Sequence, residues 1–140
     1  MGTIIDLRSD TVTSPSKAML EAMTSATTGD DVYGEDPTVN ALEEYAAELT
    51  KKEKALFVTS GTQGNLTAIL SHCERGDEYI AGSDAHTYKY EAGGAAVLGS
   101  VHPQPVPFNS RGEIPLDLAQ DAIKPLDHHF AKTKLFCLEN

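Results

Sequence analysis

The sequence predicts an α/β fold built on a largely parallel sheet. Three observations predict it. Short apolar, β-prone runs alternate along the chain with apolar residues at helical spacing. The run at residues 55–58 breaks at Ser60-Gly61-Thr62 and passes directly into a helical pattern. Further strand candidates at 78–81, 100–103 and 134–138 are separated by helical or glycine-broken stretches. Ligands bind beyond the carboxyl ends of the strands in such sheets. Ser60-Gly61-Thr62, the 83–86 loop and Glu139-Asn140 are therefore expected to meet at one edge of the sheet.

In chain order, residues 4–7 read as a short extended segment, and residues 8–14 as a polar stretch. Ser14-Pro15 reads as the N-cap and first residue of a helix. The stripe of that helix, Met19, Leu20 and Met23, is expected to pack in the core. Residues 28–36 form a glycine-punctuated acidic loop. Asp30, Asp31, Glu35 and Asp36 lack EF-hand spacing and are expected to be solvated. Tyr33 in that loop is a candidate functional side chain. Asp36-Pro37 then caps a helix with Val39, Leu42, Ala46 and Leu49 on its buried face and Glu43, Glu44 and Glu48 in water. Lys51, Lys52 and Lys54 close it with positive charge at its negative end.

The strand-turn-helix around Ser60-Gly61-Thr62 is the organising stretch. Its helix carries Leu66, Ile69 and Leu70 and ends near His72. A tight turn into a helix aims free backbone N–H groups at one point, and the helix dipole adds partial positive charge there. A phosphate can sit at such a point without a lysine, with the Ser60 and Thr62 hydroxyls as further donors. The alternative is an ordinary connection with Thr62 as N-cap. Beyond the 78–81 strand, residues 87–91 read as a short helix broken at Gly93-Gly94. Pro103, Pro105 and Pro107 are expected to impose irregular extended chain. Residues 115–124 read as a helix closed before Pro125. Neither repeats nor a linker interrupt residues 1–140, which read as one domain.

Composition excludes several classes. Eleven basic against twenty-one acidic residues give a net charge of −10, which argues against nucleic-acid or anionic-membrane partners. The sequence holds no membrane-length apolar segment and no signal-peptide pattern at its start. Asp6 stands where Met1-Gly2 myristoylation needs Ser or Thr. The sequon at Asn65 falls inside a helix and is read as accidental. A cytoplasmic protein is expected. Cys73 and Cys137 lack metal-ligand spacing and read as buried reduced thiols. His72 closes a helix and His102 lies among prolines. The neighbours His128 and His129 are expected to point apart, so no shared metal is expected. His86 follows a strand beside the phosphate candidate, where an imidazole can stack on a planar ligand or move a proton.

Five segments, Asp6-Leu-Arg-Ser-Asp-Thr-Val-Thr13, Gly29-Asp-Asp-Val-Tyr-Gly-Glu-Asp-Pro37, Ser60-Gly-Thr-Gln63, His86 and Glu91-Ala-Gly-Gly94, together resemble the N-terminal part of the low-specificity L-threonine aldolases. The resemblance runs over residues 5–140. It implies the first part of the large domain of a pyridoxal 5'-phosphate-dependent transferase (fold type I), with flanking helices and a sheet incomplete in this chain. The implied reaction cleaves threonine or allo-threonine at Cα–Cβ to glycine and acetaldehyde, on an amino-acid substrate, in a homotetramer. Residue by residue, Gly61 and Thr62 would hold the cofactor phosphate. His86 would stack on the pyridine ring and is a candidate base. Ser9 would contact the substrate carboxylate, Tyr33 would lie near the substrate with a neighbouring subunit as one source, and His129 would lie near the substrate side chain.

Family members are longer, and the lysine that bonds the cofactor lies past residue 140 in them, as do the aspartate on the pyridine nitrogen and the substrate-gripping arginines. No lysine here stands in a matching motif, so a truncated chain without useful activity by itself is expected. Two alternatives remain open: a β-eliminating amino-acid lyase on the same fold, and a non-catalytic phosphate-binding or assembly module.

Overall fold

The computed structural model describes residues 4–139, so the reading of Met1-Gly2 and the place of Asn140 lie outside the described residues. The chain divides into two compact units, Met1–Phe57 and Val58–Asn140.

The first unit is a series of short elements started by side-chain caps. Ser9 opens a single 3-10 turn, Asp10–Val12, by accepting from the Thr11 amide at 3.3 Å. Helix α1, Lys17–Ser25, is capped not at Ser14 but at Ser16, whose Oγ accepts from Met19 N at 3.2 Å. The helix begins only at Lys17, with Pro15 outside it, so Ser16 is the hydroxyl that stands three residues before the amide it caps. Met19, Leu20 and Met23 are exposed rather than packed in a core, because no apolar side chain among the described residues of this unit is buried.

Asp36 is buried and hydrogen-bonded, contrary to the expected solvation. Its carboxylate accepts from the amides of Gly29, Thr38 and Val39, each at 2.9 Å. The Val39 and Gly29 amides hold its pKa below the usual carboxylate range. Asp36 thereby caps helix α2, Pro37–Thr50, as the sequence predicts. The helix's apolar face is less covered than expected: Val39 and Ala46 are half-buried, while Leu42 and Leu49 are exposed. Glu43 turns inward instead, accepting from the Phe57 amide at 2.7 Å. The strand expected at 55–58 is not formed. No strand lies beside it among the described residues, and extended chain without a ladder partner leaves its backbone groups to water.

The second unit contains the sheet. Helix α3, Gly61–His72, is followed by β1, Asp77–Gly82, short helices α4, His86–Lys89, and α5, Gly94–Gly99, then β2, His102–Val106, α6, Leu116–Ala122, and β3, Lys132–Phe136. The order is β2-β1-β3 and both pairings are parallel. The parallel α/β expectation therefore holds. Tyr79 and Ala81 of β1 join a buried cluster with Ile69, Cys73, Ala85, Ala95 and Val101. On the other face, Ile80 and Ala119 of α6 line one apolar groove. Burial pushes the Tyr79 phenol up to about 12 and the Cys137 thiol up to about 11, and Cys73 is also raised by burial. Both thiols are free.

Residues 103–106, expected to be irregular, form most of β2. Pro103 and Pro105 are two apart, so their missing N–H groups fall on the same side of the strand. His102, Gln104 and Val106 have the other parity and can serve β1, which leaves the prolines on the outer edge. At the amino end of the sheet the fully buried Glu78 accepts from Thr133 Oγ1 at 2.9 Å. Lys124 Nζ lies 3.5 Å from its other oxygen and donates to Gln104 Oε1 at 2.8 Å. One carboxylate and one ammonium thus tie all three strands. No helix among the described residues is long and apolar enough to cross a membrane.

Candidate functional site

The start of α3 is built by reciprocal bonds that resemble a capping box but reach one residue further back, to Thr59. Ser60 is extended (φ −156°) and its Oγ accepts from Gln63 N at 3.1 Å. Gln63 Oε1 reaches back to Thr59 N and Thr59 Oγ1, at 3.0 and 2.8 Å. The N-cap is therefore Ser60, not Thr62, because Ser60 stands three residues before the amide it caps. The first intrahelical bond runs from Gly64 N to Ser60 O. The amides of Gly61 and Thr62 precede it and are left over at the positive end of the helix. Gly61 faces open space: an added Cβ would meet no heavy atom within 4 Å. Two free amides, a Thr62 hydroxyl released from capping and an unobstructed approach make a donor set that fits a phosphate.

Asn65 stands four residues after Gly61, on the same helix face. Its Nδ2 donates to Glu91 Oε1 at 2.7 Å. The same oxygen lies 2.8 Å from His86 Nδ1. The Glu91 side chain is only 5 % exposed, whereas the His86 ring is half exposed. A carboxylate oxygen facing Nδ1 favours a proton on that nitrogen, which in the neutral ring leaves Nε2 as the acceptor. The His86 main chain is held as well: its amide donates to Glu139 Oε2, just past the end of β3. The Tyr90 ring lies 5.5 Å from the imidazole, tilted by 39°. A cavity of about 230 Å³ opens between Asn65, His86, Thr87, Cys137 and Glu139. Thr87 Oγ1 is buried without a hydrogen-bond partner among the described residues.

Thus the 83–86 loop and Glu139 meet beyond the carboxyl ends of β1 and β3, and the start of α3 joins them through Asn65. Ser9 and Tyr33 belong to the first unit. Ser9 Oγ is engaged locally, with Thr11 Oγ1 at 2.9 Å, and Tyr33 is 79 % exposed at the end of the 3-10 turn Asp31–Tyr33. His129 is not brought to His86. It lies three residues before β3, at the amino end of the sheet, while His86 follows the carboxyl end of the parallel strand β1.

His128 and His129 do not point apart as expected. Their rings stack 3.9 Å apart, and Asp127 Oδ1 holds His129 through both its amide, at 2.9 Å, and Nδ1, at 2.6 Å. Those two bonds keep the Asp127 carboxyl below its usual pKa. Ligand atoms of Asp127, His128 and His129 come within 4.8 Å of one another, all on exposed side chains.

Sequence reasoning assigned no role to Asn65 or Glu91. Glu91 follows His86 by five residues, a spacing that carries no signal of its own, and Asn65 meets it across 26 residues of chain.

Comparison with known proteins adds an independent line. A family model described as beta-eliminating lyase matches residues 6–140. The chain is 66 % identical over 137 residues to the low specificity L-threonine aldolase of Escherichia coli (strain K12), covering 98 % of this chain and 41 % of that protein. It is 48 % identical over 139 residues to the probable low-specificity L-threonine aldolase 2 of Arabidopsis thaliana, covering 97 % and 39 % respectively. The chain spans about two fifths of the length of these relatives.

Proposed function

The chain belongs to the beta-eliminating lyase family, and from that premise we propose that it supplies the phosphate-holding and ring-facing part of a pyridoxal 5'-phosphate-dependent threonine aldolase. The substrates are L-threonine and L-allo-threonine, and the products glycine and acetaldehyde. The observation that carries this reading is the junction beyond β1 and β3: a histidine fixed on a buried carboxylate, joined through Asn65 to the two free amides that start α3. When bound, the cofactor accepts the electron pair left by the breaking Cα–Cβ bond.

The residues of this chain do the rest. The amides of Gly61 and Thr62 and the Thr62 hydroxyl bind the phosphate. The His86 ring faces the cofactor ring, and its Nε2 takes the proton from the substrate β-hydroxyl. The resemblance assigns Ser9 to the substrate carboxylate and Tyr33 to the substrate. His129 acts on the substrate side chain of a neighbouring copy, since its own strand carries it to the sheet end opposite His86. A homo-oligomer, a tetramer by the resemblance, and a cytoplasmic location go with this reading.

The test uses the natural gene product carrying this sequence, loaded with pyridoxal phosphate and given L-threonine. Release of acetaldehyde with glycine supports the aldolase. Release of ammonia with a 2-oxo acid favours a β-eliminating lyase, the reading that the family description also supports. Mixed oligomers of the H86A and H129A variants should turn over faster than either variant alone. If mixing restores nothing, His129 has no role on a neighbouring copy.

A further inference from the structure

Glu91 is the least exposed charged group beside His86, and nothing in the proposed reaction yet uses it. Its Oε1 is the common acceptor for Asn65 Nδ2 at 2.7 Å and His86 Nδ1 at 2.8 Å. Its side chain is 5 % exposed, so water competes poorly for those bonds. Asn65 sits on α3, a separate element, and so fixes the carboxylate against the helix that carries the free amides. His86 is pinned at its other end by Glu139, which accepts its amide hydrogen. The ring therefore has one orientation and one tautomer imposed from outside.

We infer that Glu91 and Asn65 are positioning residues that lock His86 as the Nδ1–H tautomer, with Nε2 kept free as the proton acceptor. Free imidazole in water favours the opposite tautomer, with the proton on Nε2, which would leave no lone pair on that nitrogen for a substrate hydroxyl. The carboxylate reverses that preference and stabilises the imidazolium formed when Nε2 takes a proton. The arrangement is the logic of a carboxylate-oriented histidine base, in which the carboxylate is not itself protonated. The proton balance is simple: the β-hydroxyl O–H bond breaks, an Nε2–H bond forms, and the Nδ1–H remains in place throughout. The inference rests on the proposed role of His86 for its catalytic meaning, but the tautomer itself does not.

Nitrogen NMR of the protein labelled with ¹⁵N-histidine reads the tautomer directly, with an H86N variant assigning the signals. In the unaltered protein near pH 8, His86 should show Nδ1 as the protonated, pyrrole-type nitrogen and Nε2 as the pyridine-type one. Glu91→Ala should transfer the proton largely to Nε2 and lower kcat about 10–100-fold with little change in KM. Glu91→Gln keeps an oxygen in the same place and should retain the Nδ1–H tautomer, while losing the part of the rate that comes from a negative charge beside the imidazolium. Asn65→Ala should give an intermediate loss. A His86 that carries its proton on Nε2 in the unaltered protein overturns the inference, and that measurement needs no variant to fold. So does an unchanged tautomer in Glu91→Ala. A protein that lacks aldolase activity yet holds the Nδ1–H tautomer would refute the proposed reaction while leaving this assignment standing.

Discussion

In the first unit the one buried side chain among the described residues is a carboxylate, Asp36. In the second, Ile69, Tyr79, Ile80, Ala81 and Val101 are sealed as an apolar core, and the one fully buried carboxylate among the described residues, Glu78, is sealed with them. The contrast extends to what starts each element. Ser9, Ser16, Asp30 and Asp36 each organise the residues immediately after them by taking one or more amides. Strand β1 is instead ordered by partners far along the chain, β2 and β3. Local polar bonds specify backbone direction but remove little apolar surface from water, so they contribute modestly per bond. Non-local packing removes apolar surface and carries most of the stability. The first unit is thus well specified and weakly held, and the second is held by its core.

The largest effect should separate the two units cleanly. Ile69→Ala in the buried cluster is expected to cost about 2–5 kcal/mol, whereas Leu49→Ala on the exposed face of α2 should stay within about 0.5 kcal/mol. Denaturant midpoints of the two variants measure both. A large cost at Leu49 would break the contrast and mean that the exposed face of α2 is covered in the working protein. Gly82→Ala should rank next. Its Cβ would fall 2.0 Å from Phe108 Cζ, and forcing that ring aside is expected to cost about 1–3 kcal/mol.

A smaller effect belongs to Asp36 and sharpens the comparison through pH. Its pKa is lowered in the fold, so its contribution is complete above the ordinary value of 3.8 and is lost as the pH falls through the lower folded value. Asp36→Ala should shorten or fray α2 at neutral pH. Asp36→Asn, a good cap without a charge, should keep the helix and abolish that acid dependence. Circular dichroism against pH distinguishes them. The smallest effect lies at alkaline pH in the second unit. Cys137 is raised to about 11 from 9.0, so its contribution is complete below pH 9.0 and fades as the pH rises through about 11. Thiol alkylation near pH 8 should accordingly be slow in the folded protein and fast after unfolding.

The parallel sheet and the helix beyond the Ser60-Gly61-Thr62 break were legible because their signals are local, apolar runs and a glycine break, although the cap fell on Ser60 and not on Thr62. The failures share one cause. The run at 55–58 has the composition of a strand, yet a strand exists only with a neighbour, and composition does not report neighbours. Residues 103–106 have the composition of a loop, yet β1 recruits them, because alternating prolines leave one usable side. Met19 and Met23 have core spacing but no surface to pack on. At the candidate site, His86 drew notice by following a strand signal, and Gly61 and Thr62 by standing at a glycine break before a helical pattern. The contact between Glu91 and Asn65 did not, since a meeting across 26 residues leaves no mark in either local sequence, and Glu91 stood out only as the first residue of a family motif. Asn65 drew notice only as a glycosylation pattern, which its bond to Glu91 now gives a different meaning.

The two prolines of β2 have a consequence for assembly. A further strand cannot zip onto that margin, for the amides it would need as donors are missing at alternate positions. Extension of the sheet is therefore one-directional: any additional strand, from whatever source, must dock alongside β3. That margin also leads to Glu139 and hence to the main chain of His86, so a strand added there would tighten the support behind the imidazole.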